Sequence, residues 1–138
     1  MKQSVFLTAL IWAALEAGRL VVGDGAVRLI AYGAIALMAL MIAGTFLWLW
    51  RERATPLALG MAWAWLGAGV LAGWWWRASL IGQGAAPEAG LHLVLAISLT
   101  GALLHFAVIQ RSFGRHGASF LWPVALALAL SGLAWLVA

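Results

Sequence analysis

The charged residues of this chain are few, and long apolar runs separate them. Only 12 of its 138 residues carry a formal charge, eight basic and four acidic, while 66% are hydrophobic. Apolar atoms already contribute about 55–60% of an ordinary protein surface. A soluble domain of this length therefore has no interior large enough for the remaining apolar side chains, and the chain is predicted to lie in a lipid bilayer.

Five apolar runs are long enough to cross a bilayer. A helix needs about 20 apolar residues to span a hydrocarbon core of roughly 30 Å, and turn signals such as Gly23-Asp24-Gly25 separate the runs. The predicted spans are residues 5–22, 26–50, 57–76, 91–110 and 119–138. The chain is thus predicted to be an all-α, polytopic integral membrane helical bundle that forms one domain over residues 1–138.

Basic residues are distributed unevenly between the two ends of these spans. One side carries five of them: Lys2, Arg51, Arg53, Arg111 and Arg115. The other side carries three: Arg19, Arg28 and Arg77. Because cytoplasmic loops of membrane proteins carry the excess of Lys and Arg, the N-terminus is predicted inside and the C-terminus outside.

The positions of the tryptophans support the same arrangement of five spans. Of the ten tryptophans, only Trp12 falls near the middle of a predicted span. Indole rings collect at the lipid–water boundary, where the ring is buried and the N–H stays hydrated. We interpret most of these residues as anchoring belts rather than as an aromatic ligand cage.

Small residues in the third span indicate close helix packing. Gly69 and Gly73 form a GxxxG pair, and such pairs let the backbones of two membrane helices approach each other. Packing within the chain is the simpler interpretation. The alternative is that Gly69 and Gly73 form the contact between two copies of the chain.

Glu16 and Arg19 are ionisable residues inside the first span. Charged groups at membrane depth usually pair with each other or line a cavity, and residues at i and i+3 share one helix face. One interpretation is a structural ion pair; the other is that Glu16 lines a proton, cation or quinone path. Loss of folded protein on removal of one partner would indicate the first, and normal expression with lost activity the second.

Three histidines, His92, His105 and His116, are candidate cofactor ligands. Imidazole binds haem, copper and zinc and also relays protons. His92 and His105 are separated by about 19.5 Å along one helix and by roughly 140° around it. They therefore do not face one cofactor column, and a hydrogen-bonded structural role remains the simpler interpretation of each histidine.

Residues 91–117 resemble part of the NnrS family of polytopic haem- and copper-containing membrane proteins linked to nitric oxide stress. The resemblance rests on a Leu-His pair, a mid-helix Gly-Ala and an Arg followed five residues later by a His beside Gly, here Leu91-His92, Gly101-Ala102, Arg111, His116 and Gly117. It implies haem or metal contact at His92 and His116.

Three classes of function remain open. The first is an accessory or assembly subunit of a larger membrane complex, which small loops and scarce intramembrane polar groups favour. The second is a haem- or metal-associated redox or nitric-oxide-responsive module that uses His92, His105 or His116. The third is a small oligomeric transporter or channel with Glu16 and Arg19 near the path.

Other classes are not expected. The chain lacks HExxH, phosphate-loop and GxSxG motifs, so an autonomous hydrolase or kinase is not predicted, and it contains no cysteine for thiolate sites. Scattered basic residues without a basic stripe argue against a nucleic-acid partner. The expected partners are the lipid bilayer and either further copies or a larger complex, in a cell membrane that we expect to be a bacterial inner membrane.

Overall fold

A computed structural model describes residues 2–81, 88–114 and 117–137. The described residues form five α-helices and contain no strand. The helices are α1 (Lys2–Val22), α2 (Asp24–Arg53), α3 (Pro56–Ile81), α4 (Glu88–Ser112) and α5 (Trp122–Val137), with a short 3₁₀ helix at Ala118–Leu121 before α5. The all-helical fold predicted from the apolar runs is confirmed.

Four of the five predicted spans coincide with helices that are long and apolar enough to cross a membrane. These segments are Gln3–Val22, Asp24–Arg53, Pro56–Ile81 and Gly90–Ser112. The fifth helix has only 16 residues, which corresponds to a length of about 24 Å. The fifth span and the inside location of the N-terminus therefore stay predictions.

Helices α2, α3 and α4 form a row with α3 in the middle, called here the helical row. The backbone of α3 approaches α2 on one side and α4 on the other, whereas the backbones of α2 and α4 do not approach each other. Within the described residues, α1 approaches only α2, and α5 approaches only α4 and the 3₁₀ helix. The helical row thus holds most of the tertiary structure.

The interior of the helical row consists of small residues. Its buried hydrophobic side chains are those of alanine and one valine: Ala36, Ala39, Ala43, Ala58, Ala62, Ala72 and Val94. Large apolar side chains such as Leu37 and Met41 point outward instead. Because lipid is as apolar as leucine, membrane helices associate through close backbone contact rather than by burying large side chains.

The junctions between helices are short. Gly23 alone separates α1 from α2 and adopts φ 85° and ψ 161°, a region essentially open only to glycine. Ala54 ends α2 in the left-handed conformation, with φ 49°, and donates its N–H to the Trp50 carbonyl. Pro56 then begins α3, at the first helical position where its missing N–H costs no hydrogen bond.

Candidate functional sites

His105 lies at the contact between α3 and α4, near the end of the helical row that carries Trp50. Its backbone nitrogen would be 2.8 Å from a Cβ placed on Gly60, so only glycine at position 60 lets the two helices approach this closely. The imidazole meets the Phe106 ring edge-on, with centroids 5.7 Å apart. Its Nδ1 atom is buried and has no hydrogen-bond partner among the described residues.

The other two histidines do not join this site. His92 is exposed near the start of α4, about 19.5 Å away from His105 along the helix. His116 lies outside the described residues. Among the residues that the structure describes, no three His, Cys, Asp or Glu side chains are grouped closely enough to hold a metal ion.

Glu16 and Arg19 form an ion pair on the surface of α1. The Arg19 Nε atom donates to Glu16 Oε2 at 2.6 Å, and the Arg19 and Glu16 side chains are 45% and 43% exposed. A second nitrogen of Arg19 donates to Asp24 Oδ1 at 3.2 Å. The predicted pairing is present, and the structure adds Asp24, which the turn at Gly23 brings back toward Arg19.

Gly69 and Gly73 both lie on the α2 side of α3, but their surroundings differ. A Cβ on Gly69 would be 2.9 Å from Leu40 side-chain atoms and 3.2 Å from the Leu40 nitrogen. A Cβ on Gly73 would meet the Ala36 Cβ at an ordinary 3.7 Å. The pair therefore packs within the chain, and a role between copies stays a prediction.

The contact between α3 and α4 depends on other glycines. A Cβ on Gly101 would lie 2.5 Å from the Ala64 nitrogen and 3.0 Å from the Trp63 carbonyl carbon, and Gly67 lies against Ser98 Oγ. The α3–α4 contact is formed around Gly60 and Gly67 of α3 and Gly101 of α4. This contact lies on the opposite side of α3 from Gly69.

Consecutive tryptophans at the end of α3 bind both neighbouring helices. The Trp76 indole covers Gly33 of α2, and Trp74 covers Gly90 of α4. Trp75 stacks on Tyr32 with ring centroids 6.4 Å apart. Because successive residues turn by about 100°, Trp74 and Trp76 point to opposite sides of α3. These indoles thus contribute helix contacts in addition to the predicted boundary position.

No protein-family model matches the chain, and comparisons with curated proteins and with solved structures likewise find no match.

Proposed function

We propose that this protein is an accessory or assembly subunit of a larger membrane complex. The observation that carries the proposal is the isolation of α1. This helix is long and apolar enough to cross a bilayer, yet none of the residues in its most apolar window is buried in the chain. Among the described residues it approaches only α2, so nearly its whole circumference is open to contact with another protein.

The surface of α1 has the features of a helix–helix interface. Ala9, Ala13 and Ala17, called here the α1 small-residue stripe, follow one another at four-residue intervals and are exposed. Such small-xxx-small patterns allow close approach of a second membrane helix. Gly18 beside the stripe likewise has open space at its Cβ position.

The position of Glu16 also favours a helix–helix interface on this face of α1. At about 100° per residue, it lies within roughly 20° of Ala9 around the helix. A half-exposed carboxylate at membrane depth is unfavourable against hydrocarbon, and a partner helix with a polar side chain would shield it. The ion pair with Arg19 reduces this unfavourable exposure without removing it, because both side chains remain accessible.

The test is purification of the tagged full chain from its native membrane in a mild detergent, followed by measurement of the mass of the assembly. We expect a mass above that of the 14.6 kDa chain, with other polypeptides present in fixed proportion. The double variant Ala13→Leu/Ala17→Leu should lose them, since leucine side chains hold a partner helix away.

The matched control is Ala125→Leu/Ala129→Leu on α5, where both alanines are exposed at the same four-residue spacing. These substitutions should leave the assembly intact. A stable monomer in the wild-type preparation would contradict the proposal. An assembly made only of copies of this chain would contradict it too, and would favour the transporter or channel alternative.

A second candidate is the haem- or metal-associated module, which the buried Nδ1 atom of His105 favours. A ring nitrogen without a protein partner is available to a ligand, and metal-binding histidines use one ring nitrogen for the metal. His92 points elsewhere on the same helix, so a second axial ligand for haem would have to come from outside the described residues.

An absorption spectrum of the gently purified protein tests this candidate. Bound haem would produce a Soret band that is abolished in His105→Ala and retained in His92→Ala. Metal analysis of the same samples would detect a bound metal ion that has no colour. A spectrum without the band, together with metal content equal in wild type and His105→Ala, would remove His105 as a ligand.

A further inference from the structure

A groove runs along the surface between α2 and α3, toward the end of the helical row where α2 stops. Its volume is about 560 Å³, and its lining is almost wholly apolar. The α2 side is formed by Leu40, Gly44, Leu47 and Trp50, which recur at intervals of three and four residues and so share one helix face. Small-molecule sites typically measure about 300–1,000 Å³, so the groove is large enough for a ligand.

The groove has the length of one bilayer leaflet. Leu40 and Trp50 mark its two ends on α2, and ten residues of helix correspond to about 15 Å. The hydrocarbon core is roughly 30 Å thick. The length of the groove therefore matches half of this thickness, which is the length of hydrocarbon that an acyl chain of one leaflet occupies.

Small residues create the groove. Ala43 and Ala62 form its floor and are 6% and 5% exposed. A Cβ added to Gly44 would meet nothing within 4 Å, so the space in front of this residue is open. Trp63 and Leu66 of α3 complete the opposite wall, and the groove is open at the surface of the helical row.

Basic residues lie at the end of the helical row where the groove stops at Trp50. Arg51 lies four residues after Leu47 and continues the same face of α2, whereas Arg53, in the last turn, lies on another side of the helix. Both are exposed. Arg111 lies in the last turn of α4 at the same end of the row, because His105 of α4 lies opposite Gly60 of α3. Glu52 is the acidic residue among these arginines, so this end of the helical row has a net positive charge.

We propose that the α2–α3 groove binds an anionic phospholipid, with an acyl chain along Leu40–Trp50 and the phosphate at Arg51, where Arg53 adds to the positive charge. Clusters of Lys and Arg directly beside membrane spans attract anionic headgroups. Trp50 lies between the apolar groove and the arginines, at the headgroup level where indoles collect. An anionic phospholipid matches the apolar length of the groove, its floor of small residues and the positive charge at its end.

Native mass spectrometry of the detergent-purified full chain tests the proposal, with phosphatidylglycerol and phosphatidylcholine of identical acyl chains as probes. We expect phosphatidylglycerol to bind at least tenfold more tightly. Arg51→Gln/Arg53→Gln should remove this preference, by about fivefold for each arginine. Gly44→Leu should weaken the binding of both lipids at least tenfold, because the leucine side chain occupies the groove.

Two matched controls carry the same chemical changes at other places. Arg28→Gln/Arg77→Gln removes two charges at the opposite end of the helical row, and Gly132→Leu fills open space on α5. Both should bind phosphatidylglycerol within twofold of wild type. Circular dichroism and gel filtration establish that each variant is folded; should Gly44→Leu fail this check, the arginine variant still decides the headgroup claim.

Three results would overturn the proposal. The first is equal affinity of the wild type for the two lipids. The second is unchanged lipid binding by a folded Gly44→Leu variant, or an unchanged preference in the arginine variant. The third is loss of a co-purifying polypeptide, rather than of lipid, in Gly44→Leu, which would assign the groove to a partner helix. None of these results depends on the α1 small-residue stripe.

Discussion

The helical row and α1 contain similar small residues, but the two regions use them differently. In the row, Gly60, Gly69 and Gly101 face the backbone or side chains of a neighbouring helix at distances that exclude a Cβ atom. On α1, Ala13 and Gly18 face open space. A small-xxx-small pattern therefore predicts a contact but does not say whether the partner belongs to the same chain.

The largest expected effect comes from breaking the α3–α4 contact at Gly101. Gly101→Leu places a side chain against the Ala64 and Trp63 backbone, and backbone atoms cannot rotate away as a side chain can. We expect loss of folded protein, measured as yield of monodisperse material by gel filtration. Gly132→Leu on α5 is the control, and near-normal yield of Gly101→Leu would refute the close approach of α3 to α4.

The next effect separates the two glycines of the GxxxG pair. Gly69→Ala should lower the free energy of unfolding by about 1–3 kcal/mol, the usual range for overpacking, because its Cβ would meet Leu40 at 2.9 Å. Gly73→Ala should be nearly neutral, because its Cβ has ordinary contact with Ala36. Denaturant unfolding in mixed micelles compares the two variants. Equal effects would contradict the closer approach of α2 at Gly69 than at Gly73.

A smaller and opposite effect is expected at the turn between α2 and α3. Ala54 adopts φ 49°, where a Cβ atom is unfavourable by roughly 1–2 kcal/mol. Ala54→Gly should therefore raise the free energy of unfolding by about 1 kcal/mol. The same unfolding assay measures this change. A decrease would mean that the turn is not left-handed at this residue.

The smallest effect is expected on α1. Glu16→Gln leaves Arg19 bonded to Asp24, and α1 contributes few contacts to the helical row. We therefore expect an unfolding midpoint equal to that of wild type. A clear loss of folded protein would show that the ion pair holds α1 in place and that the contrast between α1 and the row is overstated.

Much of the local structure was predictable from particular residues. The apolar runs predicted α1, α2 and α4 to within three residues, because charges and turn residues end these runs, as at Arg53 and Gly23. The predicted end of the third span at residue 76 was wrong, since α3 passes through Arg77 and ends at Ile81. The i, i+3 spacing predicted the Glu16–Arg19 pair. Asp24 was not assigned to it, because its approach depends on the conformation of Gly23.

The candidate sites were less predictable. Nothing in the pattern distinguishes His105, whose Nδ1 atom is buried, from His92, which is exposed. The α2–α3 groove was also missed, because Gly44 and Ala43 look the same in sequence as the alanines that close other contacts. A groove forms where no neighbouring side chain fills the space in front of a small residue. The spacing of residues along the sequence does not show where this happens.

The helical fold and an apolar content suited to a bilayer follow from the amino-acid sequence, since scarce charges at the ends of apolar runs leave few other solutions. Which helix faces meet becomes known only from the packing of the helices. Lipid and neighbouring helices are equally apolar, so hydrophobic periodicity cannot separate a packed face from a lipid-facing one. Only the fit of Gly60, Gly69 and Gly101 against their neighbours makes that distinction.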